Sequence, residues 1–456
     1  MLNGPAARSS SPFSGTPRRR DVVYIRLVIE EREQAKLCWG QRWSWQEQQL
    51  PPDRRSPTLV LTAEVDQPDP VDVTAIRAAI RLVVARHAAM RTTVTVGGDG
   101  LPRQEIWPVE AEEYSIEQFD DVAQGRQWLH EDFDIASAWP FRVGLLGSDR
   151  AQNVIGVAAH HVATDRYGLD LFCRELQAAV RAISRRQAPA AESPARQPAD
   201  IAAFEASAAG AAVNERSIRY WLRHHEELSE QLGTLAARFD QPSDASHVAQ
   251  TVSADARKRL SELAAAARAG EPAVAVAVVA DTLADYLGRS SVIMFMISAN
   301  RHLPGVRHSV CSLAQAGLVR IDVPEPRRVE RLIPAASKGA LTALHHAYYD
   351  PDVLSARQRA MGAGGHQPPV TPPSVNVMSA DRLVRYPSGW IPGGDAPSTR
   401  LEQVPRPCSG LNFHVTMTGS CLSIELRAGT HLLPAGDCEA LVTAAMERIL
   451  TSVTAA

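Results

Sequence analysis

Between residues 58 and 186 the hydrophobic pattern keeps changing period, and no other feature restricts the possible folds so much. Thr58 to Val65 reads as a strand. Asp72 to Met90 reads as a helix, with Ile76, Ile80, Val83, Val84 and His87 on one 3.6-residue face. Arg91 to Val96 and Arg103 to Val109 are β-rich and flank Gly97-Gly98-Asp99-Gly100, the turn chemistry of a hairpin. Phe141 to Leu146 and Asn153 to Ala159 repeat that arrangement around Gly147-Ser148-Asp149, and a helix follows from Leu169 to Arg186. Interleaved strands and helices predict an α/β or α+β lobe.

A length of 456 residues, about three times the ~150-residue domain prior, predicts more than one such unit. Residues 187–199 open with QAPAAESPARQP, rich in proline and without periodicity, and read as a linker between lobes at 21–186 and 200–456. Beyond it the pattern predicts helices at Asp200 to Ala209 and Asn214 to Leu228 and strands at Val292 to Ser298 and Leu318 to Val323. A helix from Arg328 to Tyr348, a hairpin from Leu411 to Ala428 and a helix from Ala435 to Leu450 complete it. Met1 to Arg20 has no apolar stretch of the kind a secretory signal needs and is expected to be a disordered tail. The longest apolar run, Ala273 to Ala280, is far short of the roughly 18 residues of a membrane span and fits a buried helix or strand.

Charge excludes further classes. With 51 acidic and 48 basic residues, net -3, the chain as a whole has no electrostatic footprint for nucleic acid or anionic lipid. Cys38, Cys173, Cys311, Cys408, Cys421 and Cys438 form no CxxC pair, so neither a zinc ribbon nor a disulfide framework is expected, and a reducing cytoplasm is. Phosphate loops, GxGxxG after a strand and GxSxG elbows are absent from the sequence.

The segment most concerned with chemistry is Asn153 to Leu171, NVIGVAAHHVATDRYGLDL. A short apolar run ends in His160 and His161, with Asp165 and Gly168 before the next helix. Titratable groups at the end of a buried strand are costly unless bonded or used. A histidine with a carboxylate at this spacing suits general-base work, the acid orienting it. Metal binding by His161 and Asp165 lacks a third ligand at standard spacing, so none is expected. The same string recurs as His345-His346-Ala347-Tyr348-Tyr349-Asp350, but there it ends a helical stretch before Asp350-Pro351, a helix-stop signal.

The first copy, in its setting, resembles the HHxxxDG motif of the condensation domains of nonribosomal peptide synthetases. Other stretches resemble that family's motifs in the same order: Gln41 to Gln49, Arg86 to Thr92 (RHAAMRT), Phe133-Asp134 with Trp139 to Val143, and Ser298 to Arg301 with Val310 to Leu318. The resemblance spans about Gln41 to Leu450. It implies two chloramphenicol-acetyltransferase-like lobes forming a V-shaped pseudo-dimer around a central channel. It implies also a catalytic His161, a structural His160, and an Asp165 that pairs with an arginine, for which Arg301 is the candidate. Departures are Arg166, where the family has glycine, and the degenerate Val310 to Gln315. Arg166 is expected to narrow the channel near Gly168 or to disturb the pairing of Asp165.

Carried over, the resemblance implies a free-standing enzyme that joins a carrier-bound acyl or aminoacyl thioester to an amine, or a hydroxyl, in bacterial natural-product biosynthesis. No bound cofactor is implied; the phosphopantetheine arm of an acyl- or peptidyl-carrier protein, met in trans, brings the substrate. The alternatives are a catalytically silent recruitment module, motivated by Arg166, and an acyl-CoA-dependent O-acyltransferase.

Overall fold

In the computed structural model, residues 32–49, 59–67, 72–147, 154–189, 194–236, 245–361, 371–379, 397–405 and 407–452 are described. The expected tail at 1–20 and the turn residues Ser148 and Asp149 lie outside them.

The first part of the chain runs β1 (Glu33–Lys36), α1 (Trp39–Gln48), β2 (Val60–Asp66), α2 (Val73–Arg86), β3 (Thr92–Val96), β4 (Pro102–Ile106), β5 (Ser115–Phe119), α3 (Val122–Leu129), β6 (Phe141–Leu146), β7 (Val154–His160) and α4 (Arg166–Ser184). Two sheets result, in the orders β1-β4-β3 and β2-β7-β6-β5. The β3–β4 hairpin closes as its turn chemistry requires, with Gly97 N donating to Leu101 O at 2.9 Å and Gly100 at φ 75°. Asp72 caps α2 by accepting from Thr74 N. The helix stops at Arg86, short of the expected Met90. His87 turns extended so that its buried ring reaches Glu175 at 2.8 Å, and Ala88–Arg91 form a 3-10 turn. Ile76, Ile80, Val83 and Val84 of α2 meet Phe172, Leu176 and Val180 of α4 over Val143 and Val157 of the sheet, one shared core.

The chain continues through α5 (Pro198–Glu205), α6 (Ala208–Arg223), α7 (His225–Ala236), β8 (Ser246–Ser253), α8 (Ala254–Ala266), α9 (Glu271–Leu287), β9 (Ser291–Ser298), β10 (Gln315–Asp322), α10 (Val329–His345), α11 (Pro351–Met361), β11 (Ser374–Ser379), β12 (Ser398–Val404), β13 (Leu411–Met417), β14 (Leu422–Gly429) and α12 (Ala435–Thr451). The segment read as a linker is ordered into α5 from Pro198, because proline suits a first helical turn. Just before it, Gln197 bonds to Ala88 N and Arg86 O of the first lobe. Ser207 caps α6 through Gly210 N, which divides the helices differently from the periodicity. Asp350-Pro351 both ends one helix and starts another: α10 stops at His345, and Asp350 caps α11.

Among the described residues the seven later strands form one sheet, β10-β9-β11-β13-β14-β8-β12. Leu411, Phe413, Val415 and Met417 alternate onto its inner face, against α8, α9, α10 and α12. The run Ala273 to Ala280 lies in the N-terminal half of α9, buried on every side. Among the described residues no single helix is long and apolar enough to cross a membrane.

The two parts are joined by the segment between β9 and β10. Val310 enters the core under α2 and α4, while Val306, Cys311 and Leu313 pack with Cys38, Ile201 and Ala202. The Cys38 and Cys311 sulfurs touch at 3.7 Å.

Candidate active site

β7 is buried on both faces and carries its apolar side chains directly into the histidine pair, so the strand itself fixes where the pair sits. His160 N donates to Pro140 O at 2.8 Å and His161 N to Leu59 O at 2.7 Å, so the turn is held from two sides. Then the two side chains part. His160 is 1% exposed; its Nδ1 accepts from Val162 N at 3.0 Å and its Nε2 faces Gln48 Oε1 at 3.2 Å. Both of its ring nitrogens are engaged by protein.

His161 is 9% exposed, and its side-chain hydrogen-bond partners meet it at one ring nitrogen. Nδ1 is 3.1 Å from Ser44 Oγ and 3.2 Å from Ser312 Oγ. The Trp43 ring stands edge-on at 5.7 Å. Burial pushes the imidazole pKa below its ordinary 6.5, against the pull of the Asp165 carboxylate and with the help of the Arg166 charge. Neutral imidazole is therefore the resting form near neutrality.

Asp165 does not reach the ring. It caps α4 through Gly168 N at 2.9 Å, and the same oxygen takes Arg301 Nη2 at 2.6 Å. The other oxygen accepts from Leu313 N at 2.9 Å and Ala314 N at 3.0 Å. Four donors fill the carboxylate, leaving it no capacity for proton transfer to a ligand. Three of the four come from the segment that joins the lobes. The Arg301 guanidinium also donates to Cys311 O at 3.0 Å and stacks 4.8 Å from the Tyr167 ring.

Arg166 corrects one expectation. It leaves the Asp165–Arg301 pair intact and instead donates from Nη1 to Thr62 O at 2.9 Å, alongside β2, where burial lowers its pKa to about 10. The tight position is two residues on, at Gly168. A Cβ there would run into Thr164 Oγ1 and come within 3.3 Å of Cys311 N and 3.4 Å of Arg301 Nη2. The degenerate stretch Val310 to Gln315 serves Asp165 through backbone N–H groups, which any sequence supplies. The second HHxxxD copy is elsewhere: Asp350 accepts from Arg42 Nη1 at 2.8 Å.

Two clefts flank the site. One, of about 460 Å³, is lined by Trp45, Gln48, Val94 and Phe133, of which Gln48 and Phe133 also meet His160; the other borders Trp39 and Glu205; His161 lines neither. Among the described residues no three His, Cys, Asp or Glu side chains gather as a metal site.

Comparison with known proteins decides the family: the condensation-domain model matches residues 32–375. The chain belongs to the condensation-domain family. Condensation domains are, as a family, acyltransferases of nonribosomal peptide and polyketide assembly, and this chain has their mixed α/β fold. It is 31% identical over 198 residues, 42% of its length, to a probable non-canonical nonribosomal peptide synthetase, CymA, of Salinispora arenicola. To the nonribosomal peptide synthetase kk1B of Curvularia clavata it is 26% identical over 273 residues, 58% of its length. In each case the match covers only 2% of the relative. Among solved structures, the condensation domain that mediates chain release from the enacyloxin polyketide synthase superposes with a TM-score of 0.71 at 21% identity, over 96% of this chain and 86% of that one. The X-domain seen in complex with OxyB from teicoplanin biosynthesis gives 0.63 at 20%, over 92% and 94%.

Within this condensation domain, Ser44, Ser312 and Trp43 are the neighbours of His161 that sequence reasoning missed. Ser44 and Trp43 sit in the opening QRWSWQEQQ motif and Ser312 in the degenerate stretch. Nothing in their local pattern ties them to a histidine 117 to 151 residues away.

Proposed function

We propose that this condensation domain transfers an acyl or aminoacyl group from the phosphopantetheine thioester of a carrier protein to an amine or hydroxyl acceptor. The acceptor lone pair attacks the thioester carbonyl, the C–S bond breaks as the tetrahedral intermediate collapses, and the acceptor proton passes to His161 and on to the leaving thiolate. The observation that carries this reading is the difference between the two histidines. His160 has both nitrogens bonded to protein, whereas His161 is held through Nδ1, which leaves Nε2 to take a proton or to hold the acceptor in place. Asp165 and Arg301 support it by fixing the turn across the lobe junction, and Gly168 by permitting their close approach.

The X-domain likeness favours a second reading, recruitment of a partner enzyme without chemistry. Intact-protein mass spectrometry separates the two. Acyl-loaded carrier proteins, and acyl-CoA as the alternative donor, are incubated with the protein and a panel of amines and alcohols. Loss of acyl mass from the carrier matched by a new amide or ester establishes transfer. An unchanged carrier that binds tightly, alone or alongside a tailoring enzyme of the pathway, establishes recruitment instead.

A further inference from the structure

α1 is tied down along its length. Trp39 N donates to Glu205 Oε2 at 2.9 Å, and Arg42 Nη1 donates to Asp350 Oδ2 at 2.8 Å. Gly40 lets the helix lie directly on the segment between β9 and β10, since a Cβ there would run into Ser312 O. Ser44 is buried against His161. Trp43 stands between these anchors, on a helix that fixes where its side chain starts.

Trp43 is 38% exposed, the only aromatic among the large hydrophobic side chains left exposed in the described residues. Its ring meets the His161 ring edge to face, with the centroids 5.7 Å apart. An indole gains more from burial than most side chains, and a face left in water forgoes that gain. A lone exposed apolar residue is ordinary on a protein surface. One in contact with the ring that handles the acceptor proton is a wall for whatever reacts there.

The charges around it limit the chemistry of the occupant. Those acting on the His161 ring belong to Asp165 and Arg166. Asp165 is filled by four donors, and Arg166 is turned to Thr62 O. Arg42 is paired with Asp350 and Asp352. None of these groups is left as counter-charge for a charged side chain, whereas an indole suits a flat, uncharged ring in offset or edge-to-face contact.

We infer that Trp43 is a specificity-determining residue, its indole forming a wall beside His161 on which the substrate lays an uncharged aromatic side chain. The acyl donor or the acceptor carries that ring. The inference rests on the acyl-transfer reading for which molecule carries the ring, not for the contact itself.

The test uses the full chain as wild type, Trp43→Ala and Trp43→Phe, in two arms. Phenylalanyl and alanyl pantetheine analogues, with the thioester sulfur replaced by nitrogen, stand in for the donor. Phenylethylamine and ethylamine are the acceptors. Titration calorimetry gives Kd in both arms, and product mass gives kcat/KM for the acceptors with an acyl-loaded carrier. Because Trp43 is exposed, neither variant opens a core cavity. Wild type is expected to favour the aromatic member of one arm by roughly 10-fold or more. Trp43→Ala is expected to lose about that factor for the aromatic member and less than about 2-fold for the alkyl member, while Trp43→Phe, which keeps a ring, retains most of the preference. An equal loss for both members, the mark of a merely structural role, overturns the inference. So does a wild type that distinguishes neither pair; if it still transfers acyl groups, the proposed function stands without the wall. Selective loss of aromatic binding in a protein that transfers nothing leaves the wall standing and removes the proposed function.

Discussion

Asp165 Oδ1 and Arg301 Nη2 are 2.6 Å apart, with both side chains over nine-tenths buried, and they belong to different halves of the chain. The carboxylate caps the helix that follows the histidine turn, and the guanidinium follows the strand that leads into the joining segment. A buried charge whose partner is removed is costly, far more than the net worth of the pair. Asp165→Asn removes the charge and points an amide N–H at donors that need an acceptor. It is expected to lower unfolding free energy by about 3–5 kcal/mol, read by urea denaturation. A loss under about 1 kcal/mol would show the pair to be dispensable.

Gly168 is needed for space. Gly168→Ala is expected to destabilise by about 1–3 kcal/mol, since its Cβ meets the buried Thr164 hydroxyl in a packed site. Thr164→Ala removes the atom in the way, so the double variant should recover part of the loss. Calorimetry of the four proteins in this cycle checks it; strictly additive losses would place the strain elsewhere.

The pH dependence follows from the burial of His161. Its folded pKa lies below 6.5, so the neutral, proton-accepting form persists to lower pH than in a free histidine. The acid limb of kcat/KM is expected to have its midpoint below pH 6.5. Arg166 favours the neutral ring by its charge, so Arg166→Gly should move that limb upward while the Asp165–Arg301 pair stays formed. A limb that stays in place or moves down in the variant would show that Arg166 does not act on the base.

Much of this was readable in the sequence because it is local. An apolar strand ending in two histidines and an aspartate declares its own cost, and the turn chemistry of Gly97 to Gly100 needs no tertiary context. Arg301 was within reach only through the resemblance, which implies an arginine partner for Asp165 and places one after the strand at Ser298. The serines were not, since a small buried hydroxyl has no periodicity and its value depends on which ring the fold brings to it. The expected disturbance of the Asp165 pairing by Arg166 does not occur, for a related reason. Its neighbour in sequence is Asp165, but the helix start directs its side chain along β2 to the Thr62 carbonyl. The end of α2 moved because His87 follows a long-range bond to Glu175 and not the helical period.

The most direct measurement is single-turnover acyl transfer from a loaded carrier protein by wild type and by His161→Ala, with folding of the variant verified by circular dichroism. Loss of a catalytic base costs about 10²–10⁴ in rate. A fall of that size in a normally folded variant is the predicted result. Transfer at a rate within a few-fold of wild type would contradict the assignment of His161 as the group that acts on the acceptor.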